Sequence, residues 1–243
     1  MSGLVFIISA PSGSGKSTLT NELLRAVPGL QFSISYTTRA PRGSEQNGRE
    51  YFFIDRDEFQ QRVEDGAFLE YADVFGDYYG TSYAFLREAR QKGNDLVLDI
   101  DVQGAAQVKR RLPEAISIFI LPPSREELEA RLKRRTDAEK QMEGPSSKRS
   151  DQERKQVMYR RLQTAAREIE NFSNYDYILV NDQLEQSIVR LKAIVFAERL
   201  KTAGQPLSAA DHQILATAEN CLLPKVHGQV QKILESFAAP APR

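Results

Sequence analysis

A chain of 243 residues, 41% hydrophobic and 27% charged, is long enough for an α/β domain with insertions and apolar enough to bury a core without staples. Lys+Arg and Asp+Glu are both 33, so the net charge is zero; a uniformly basic nucleic-acid surface is excluded, and only local basic clusters remain. The single cysteine, Cys221, forms no intrachain disulfide, no signal-peptide pattern opens the chain, and no apolar run approaches bilayer length, so a cytoplasmic protein with no membrane and no nucleic-acid partner is expected.

The first element is the apolar, β-branched run at residues 4–8, a buried strand of a parallel sheet. Glycine, serine and proline follow, and a helix opens at Lys16 with Leu19, Leu23 and Leu24 on one face. Residues 35–82, rich in Tyr, Phe, Gly and Arg, predict a small β-containing insertion. Apolar runs at 96–100, 116–121 and 177–180 predict further strands, separated by helical patterns at 103–112, 124–134 and 151–173, with another at 184–200. This alternation predicts an α/β fold with a doubly wound parallel sheet. Residues 135–152, with Gly144 and Pro145 among many charges, read as a solvated, mobile lid. Beyond 201, Gly204 and Pro206 mark a linker, and Ser208 is an N-cap candidate for a helix carrying Ile214, Leu215, Ala218 and Leu222. A second helix carries Val226, Val230, Ile233, Leu234 and Phe237, making 202–243 an α-helical C-terminal extension that docks on its own core or on a second subunit.

Ala10, Pro11, Ser12, Gly13, Ser14, Gly15, Lys16, Ser17 and Thr18 lie between a predicted strand and a predicted helix, the setting a phosphate-binding P-loop requires. Gly13 and Gly15 let the backbone curl so that successive N–H groups face anionic oxygens, and the helix start adds its positive end. In such a loop Lys16 reaches the β- and γ-phosphates of a nucleoside triphosphate, and the Ser17 hydroxyl ligates magnesium. The general motif begins with Gly where this chain has Ala10. The strand at 96–100 ends on Asp99 with Asp101 just beyond, and each carboxylate is either a magnesium partner or a residue that ends the strand and caps the next helix.

Five further segments, at 35–42, 47–53, 68–72, 78–81 and 99–104, together with the Ala-Pro-Ser-Gly form of the loop, resemble the guanylate kinase family in order and spacing, over residues 4–201. The chemistry of the insertion agrees. Arg39 and Arg42 can form a fork around a phosphate, and Tyr51 and Tyr79 can donate hydroxyls to the same group. A carboxylate accepts both the N1–H and the 2-amino group of guanine, which adenine cannot satisfy. The resemblance implies Glu70 in that role with Asp101 assisting, and Ser35 and Thr81 as hydroxyl partners of the base.

It also implies that Arg131, Arg135 and Arg161 contact ATP or the transferring phosphate, and that Asn181 lies near the adenine. Arg160 competes with Arg161 for its alignment. The family's lid glycine is replaced by Thr136, and the segment between Asp137 and Arg161 is longer than usual. The resemblance implies a domain at 1–201: a core (about 1–34, 83–134 and 153–201), a GMP-binding insertion (about 35–82) and the lid. It implies transfer of the γ-phosphate of MgATP to GMP, and to dGMP. Two other readings were weighed: a non-catalytic module of the same fold that binds a phosphorylated partner, and a P-loop kinase for another small phosphate. Lys16, Ser17 and the two aspartates favour an enzyme over the first, and Glu70 with the paired tyrosines disfavours the second. Oligomeric state is left open.

Overall fold

The computed structural model describes residues 3–74, 76–143 and 151–238. The chain begins with β1 (Val5–Ser9), α1 (Lys16–Ala26), β2 (Leu30–Phe32), β3 (Tyr36–Thr37) and β4 (Phe52–Phe53). It continues through α2 (Arg56–Glu64), β5 (Phe68–Val74), β6 (Asp77–Ser82), α3 (Tyr83–Lys92), β7 (Asp95–Asp99) and α4 (Val102–Arg111). Then come β8 (Ile116–Leu121), α5 (Arg125–Glu143), α6 (Asp151–Ile169), a 3-10 turn (Glu170–Asn174), β9 (Tyr177–Val180), α7 (Leu184–Ala203), α8 (Ala209–Glu219) and α9 (Leu223–Ala238).

The chain divides into two compact units. The first comprises Met1–Ser9 and Leu24–Ser117. In it β7 pairs in parallel with β1 on one side, Val5 opposite Leu96, and with β2 on the other, Leu30 opposite Asp95. Phe6, Ile7, Ile8, Leu96, Val97 and Leu98 are all fully buried, which is why these strands read as unbroken apolar runs. A four-stranded sheet, in the order β4-β3-β6-β5, lies within the insertion. Its β5–β6 hairpin is antiparallel, and the rings of Phe59, Phe68, Tyr36, Phe52 and Tyr78 pack in a chain around it, stacked except for the edge-on Tyr36–Phe68 pair. Gly80 lies beneath this cluster, where an added Cβ would come within 3.0 Å of Phe68 Cδ1 and 3.1 Å of Phe59 Cζ. The insertion also contains α2, capped by the Asp55 carboxylate on the Glu58 amide at 2.7 Å.

The second unit comprises Ala10–Leu23 and Ile118–Arg243. Here β8 pairs in parallel with β9, Ile118 opposite Tyr177. Helix α5 runs well past the predicted end, through Glu143, so the part of the expected lid at 135–143 is helical rather than loop; residues 144–150 of that lid lie outside the described residues. The charged face that made this stretch look like a solvated loop is compatible with an exposed helix. The C-terminal extension docks on its own chain. Ser208 and Asp211 form a reciprocal capping box at the start of α8, which packs along α7, and α9 lies against α5 and β9. Between α8 and α9, the Cys221 carbonyl accepts from the Ile178 amide at 2.8 Å.

The predicted α/β class is met: every strand predicted at 4–8, 96–100, 116–121 and 177–180 is present, in parallel pairs. Strand β2 and helices α2 and α3 were not anticipated. They are short or interrupted by polar residues, and tertiary packing defines them more than periodicity does.

Candidate active site

The loop that follows β1 is shaped by two left-handed glycines, Gly13 and Gly15, each with φ of 92°. The Ser14 amide donates to the Pro11 carbonyl at 3.1 Å, and the Leu19 amide to the Gly15 carbonyl at 3.1 Å, starting the ladder of α1. Lys16 is half-buried, with Ser17 and Thr18 exposed beside it in the first helical turn, while Leu19 and Leu23 anchor the helix inward. The concentrated amides and the positive helix end favour an anion here.

Two polar side chains hold this loop from outside. Asn181, which follows β9 and is buried, donates from Nδ2 to the Ser14 carbonyl at 2.8 Å. Arg131 of α5 donates to the Asn181 carbonyl at 2.9 Å and to the Ser14 carbonyl at 3.4 Å, and is itself oriented by Glu127 at 2.8 Å. A Cβ on Gly15 would come within 2.4 Å of Asn181 Nδ2, so glycine is required there by packing as well as by φ. The residue matched to an adenine contact therefore also supports the loop backbone. Arg135 lies one helical turn beyond Arg131 and is exposed; Arg161 is half-buried on α6.

In the other unit, Arg39 is 7% exposed, and its guanidinium is held in a two-point pair with Glu45, Nη1 at 2.7 Å and Nη2 at 2.8 Å. Its Nε donates to the Tyr79 hydroxyl at 3.1 Å, and its charge lies 5.0 Å from the Tyr51 ring centre and 5.7 Å from that of Phe53. The bonds to Glu45 outweigh burial and make Arg39 harder still to deprotonate, while the same bonds hold the Glu45 carboxyl below its ordinary range. The Glu45 carboxylate also accepts from the Arg42 backbone amide at 2.8 Å, so it ties the two arginines together; the Arg42 side chain is exposed. Arg39, Tyr51 and Tyr79 are thus brought together as expected. Glu45 was not singled out in the sequence, although an acid three residues after Arg42 is a signal for such a pairing.

Glu70 is 3% exposed. A register shift in β5 between Phe68 and Glu70 breaks the alternation and leaves Phe68, Leu69 and Glu70 all buried, with Glu70 directly opposite Thr81 of β6. Burial pushes the Glu70 carboxyl up to about 7; the nearby Asp101 charge adds to the rise, and Arg111 opposes it. Ser35 is also buried, its carbonyl accepting from the Phe52 amide at 2.9 Å.

Helix α4 packs against β5 beside Glu70. Asp101 is its N-cap, Oδ1 accepting from the Gly104 amide at 2.8 Å and Oδ2 from Gln103 Nε2 at 3.2 Å, so the helix-capping alternative applies to Asp101. Asp99 is half-buried as the last residue of β7. Gly104 makes room for the carboxylate: an added Cβ would lie 2.4 Å from Glu70 Oε2 and 3.4 Å from Asp101 Oδ1. At four-residue spacing along one face of α4, three side chains then grip the backbone of β5. Gln103 donates to the Asp73 carbonyl at 3.3 Å, Gln107 donates to the Tyr71 carbonyl at 2.6 Å and accepts from the Tyr71 amide at 3.4 Å, and Arg111 donates to the Phe68 carbonyl at 3.0 Å and to the Leu69 carbonyl. Gly104 was part of a recognised motif but carried no role there; Gln107 left no signal beyond its spacing.

A backbone cradle for polyphosphate in one unit, and in the other an arginine with two phenols and a buried carboxylate, make up the equipment of a P-loop enzyme acting on a phosphorylated nucleoside. Comparison with known proteins narrows this class. Residues 2–198 match the family model described as guanylate kinase. A guanylate kinase of Koribacter versatilis is 58% identical over 98% of this chain and 97% of its own length. One from Geobacter metallireducens is 48% identical over 82% of this chain and 91% of its own, and one from Escherichia coli O157:H7 is 43% identical over 84% and 92%. Among solved structures, the crystal structure of guanylate kinase from Anaplasma phagocytophilum is similar, with a TM-score of 0.65 and 35% identity over 83% of this chain and 88% of that one. The chain belongs to the guanylate kinase family.

Proposed function

We infer that the chain is an ATP:GMP phosphotransferase, moving the γ-phosphate of ATP to GMP to give ADP and GDP. The observation that carries this reading is Glu70, a buried carboxylate facing Thr81 and given room by Gly104, in a chain that also holds a P-loop. An ionised carboxylate in that position accepts the two adjacent donors of guanine; no other common base presents that pair beside an acceptor. The reading extends to dGMP, as the resemblance to the family implies.

In this reading Arg39, Arg42, Tyr51 and Tyr79 hold the GMP phosphate, whose own oxygen is the nucleophile, so no general base is needed. The bond from the γ-phosphorus to the β,γ-bridging oxygen breaks as the bond to the GMP oxygen forms, and the electron pair leaves on ADP. Lys16 and the loop amides take the β- and γ-phosphates, and Arg131, Arg135 and Arg161 counter the charge that accumulates on the transferring group. Asn181 fixes the loop and borders the adenine. Transfer requires the two substrate sites to come within bridging reach, with water excluded to suppress ATP hydrolysis.

Ser17, with an exposed hydroxyl at the start of α1, and Asp99, at the end of β7, supply the hard oxygen donors that suit magnesium carried in on substrate phosphates. When bound, the ion would neutralise negative charge on the substrate phosphates. The domain is taken to span 1–201, with insertion 35–82 and lid 135–152, working in the cytoplasm, and 202–243 as an appended extension. No helix among the described residues is long and apolar enough to cross a membrane.

A coupled ADP-release assay with GMP, AMP, UMP and CMP tests the reading. ADP release that depends on GMP supports it. Release with another acceptor, or none with any, refutes it.

A further inference from the structure

We propose that the C-terminal helix α9 is a positioning element for the ATP loop, acting through α5 by way of Ser236 and Phe237. Both residues lie beyond the family match, which ends at residue 198. The inference rests on the reading of residues 10–18 as the ATP loop.

The first contact is polar. A helix starts with backbone N–H groups that have no partner within it. At the start of α5, Ser124 Oγ accepts from the Glu127 amide at 3.3 Å, which is local. The Arg125 amide instead donates to Ser236 Oγ at 3.1 Å, across 111 residues of sequence. Ser236 is held in place by its own donation to the Ile233 carbonyl at 2.6 Å. The first turn of α5 is therefore capped in part by the extension.

The second contact is apolar. Phe237 packs against the cluster of Leu128, Leu132, Leu162 and Ala165, which joins α5 to α6. Leu128 and Leu132 are fully buried, and they also close over the loop: a Cβ on Gly13 would lie 3.0 Å from Leu128 Cδ1 and 3.0 Å from Leu132 Cδ2. Arg131 stands between them in sequence and bonds to the carbonyls of Ser14 and Asn181. Displacing α5 along or about its axis thus shifts both the apolar cover of Gly13 and the hydrogen bond to Ser14. Ser236 fixes the axial position of α5 at its first residue, and Phe237 fixes its lateral position one turn later. Close packing passes on such shifts instead of absorbing them.

The test uses full-length protein with S236A, F237A and the conservative F237L, measuring KM separately for ATP and for GMP. S236A should raise KM for ATP about fivefold and F237A about tenfold, with KM for GMP within about twofold of the parent and F237L recovering most of the loss. In thermal melts, the stabilisation given by ATP should shrink in both alanine variants and that given by GMP should not. Unchanged KM for ATP in both alanine variants overturns the proposal, as does an equal rise for both substrates, which would mean general loosening. If F237A does not fold, S236A and F237L decide by the same ATP-to-GMP comparison. K16A separates the two levels: normal turnover in K16A sinks the loop assignment itself, whereas an inactive K16A beside ATP-insensitive S236A and F237A variants sinks only the brace.

Discussion

The two regions proposed to bind substrates solve opposite electrostatic problems. In this reading the phosphate loop would receive negative charge with backbone amides and a helix end, groups that are polar but carry no net charge, helped by one lysine. Its residues are consecutive, and its shape is set by Gly13 and Gly15 and braced by Asn181 and Arg131. The acceptor pocket does the reverse: it places a carboxylate, Glu70, in the interior before any ligand arrives, and the cost shows as a carboxyl pushed up to about 7. Anion binding by the backbone needs little burial of charge and can be written in nine adjacent residues. Reading a base edge requires a desolvated charge, and strand β5, strand β6 and helix α4 must all converge to hold it.

The largest effect expected from either region is that of Lys16→Ala, which should cut kcat by about a thousandfold, with circular dichroism and KM for GMP nearly unchanged. A loss confined to KM for ATP would mean that Lys16 binds the ground state without stabilising transfer.

Gly104→Ala should lower kcat/KM for GMP about a hundredfold while leaving KM for ATP within twofold, because the new methyl group occupies the place of Glu70 Oε2. Preference for GMP over inosine monophosphate, which lacks the 2-amino group, should fall with it. Unaltered selectivity would show that the carboxylate does not read that edge.

The pH response sharpens the contrast. Only ionised Glu70 accepts both guanine donors, so kcat/KM for GMP should drop about tenfold per unit below pH 7, and KM for ATP should not follow. Stability moves the other way. The folded protein keeps the Glu70 proton up to about 7, and the unfolded chain releases it near 4.5, so between these values the folded state holds more protons and its stability falls as pH rises. Across that window the loss is at most about 3 kcal/mol. Glu70→Gln should therefore melt higher than the parent at pH 8 and gain little at pH 5, while binding GMP more weakly. An equal melting difference at both pH values would remove burial of the charge as the cause.

Gln107→Ala gives the smallest effect, a rise of about threefold in KM for GMP, because one reciprocal amide pair to Tyr71 is lost while Gln103 and Arg111 still hold β5. Gln107→Glu, which keeps the acceptor for the Tyr71 amide but not the donor, should fall between parent and alanine.

How much of this was legible varied with how local the cause was. The loop at 10–18, the apolar strands and the N-cap at Ser208 follow from neighbouring residues and were readable. Glu70, Ser35 and Thr81 were reached through a family resemblance, since nothing in β5 marks a buried acid before its partner strand is known. Helix α2 was hidden among aromatic residues, although Asp55 followed by Asp57 and Glu58 is a helix-start signal. The helical course of residues 135–143 was missed because a highly charged stretch has no apolar stripe to betray its period.

The order of amino acids by itself determined the strand–loop–helix cradle, the alternation of strands and helices, and the two helices of the extension, because backbone conformation at glycines, helix caps and apolar runs is set within a few residues. Only the tertiary structure decided that Gly104 clears space for Glu70 and that Ser236 caps a helix begun 111 residues earlier. Those contacts join segments distant along the chain, and hydrogen bonds and excluded volume act through space, where sequence separation has no bearing.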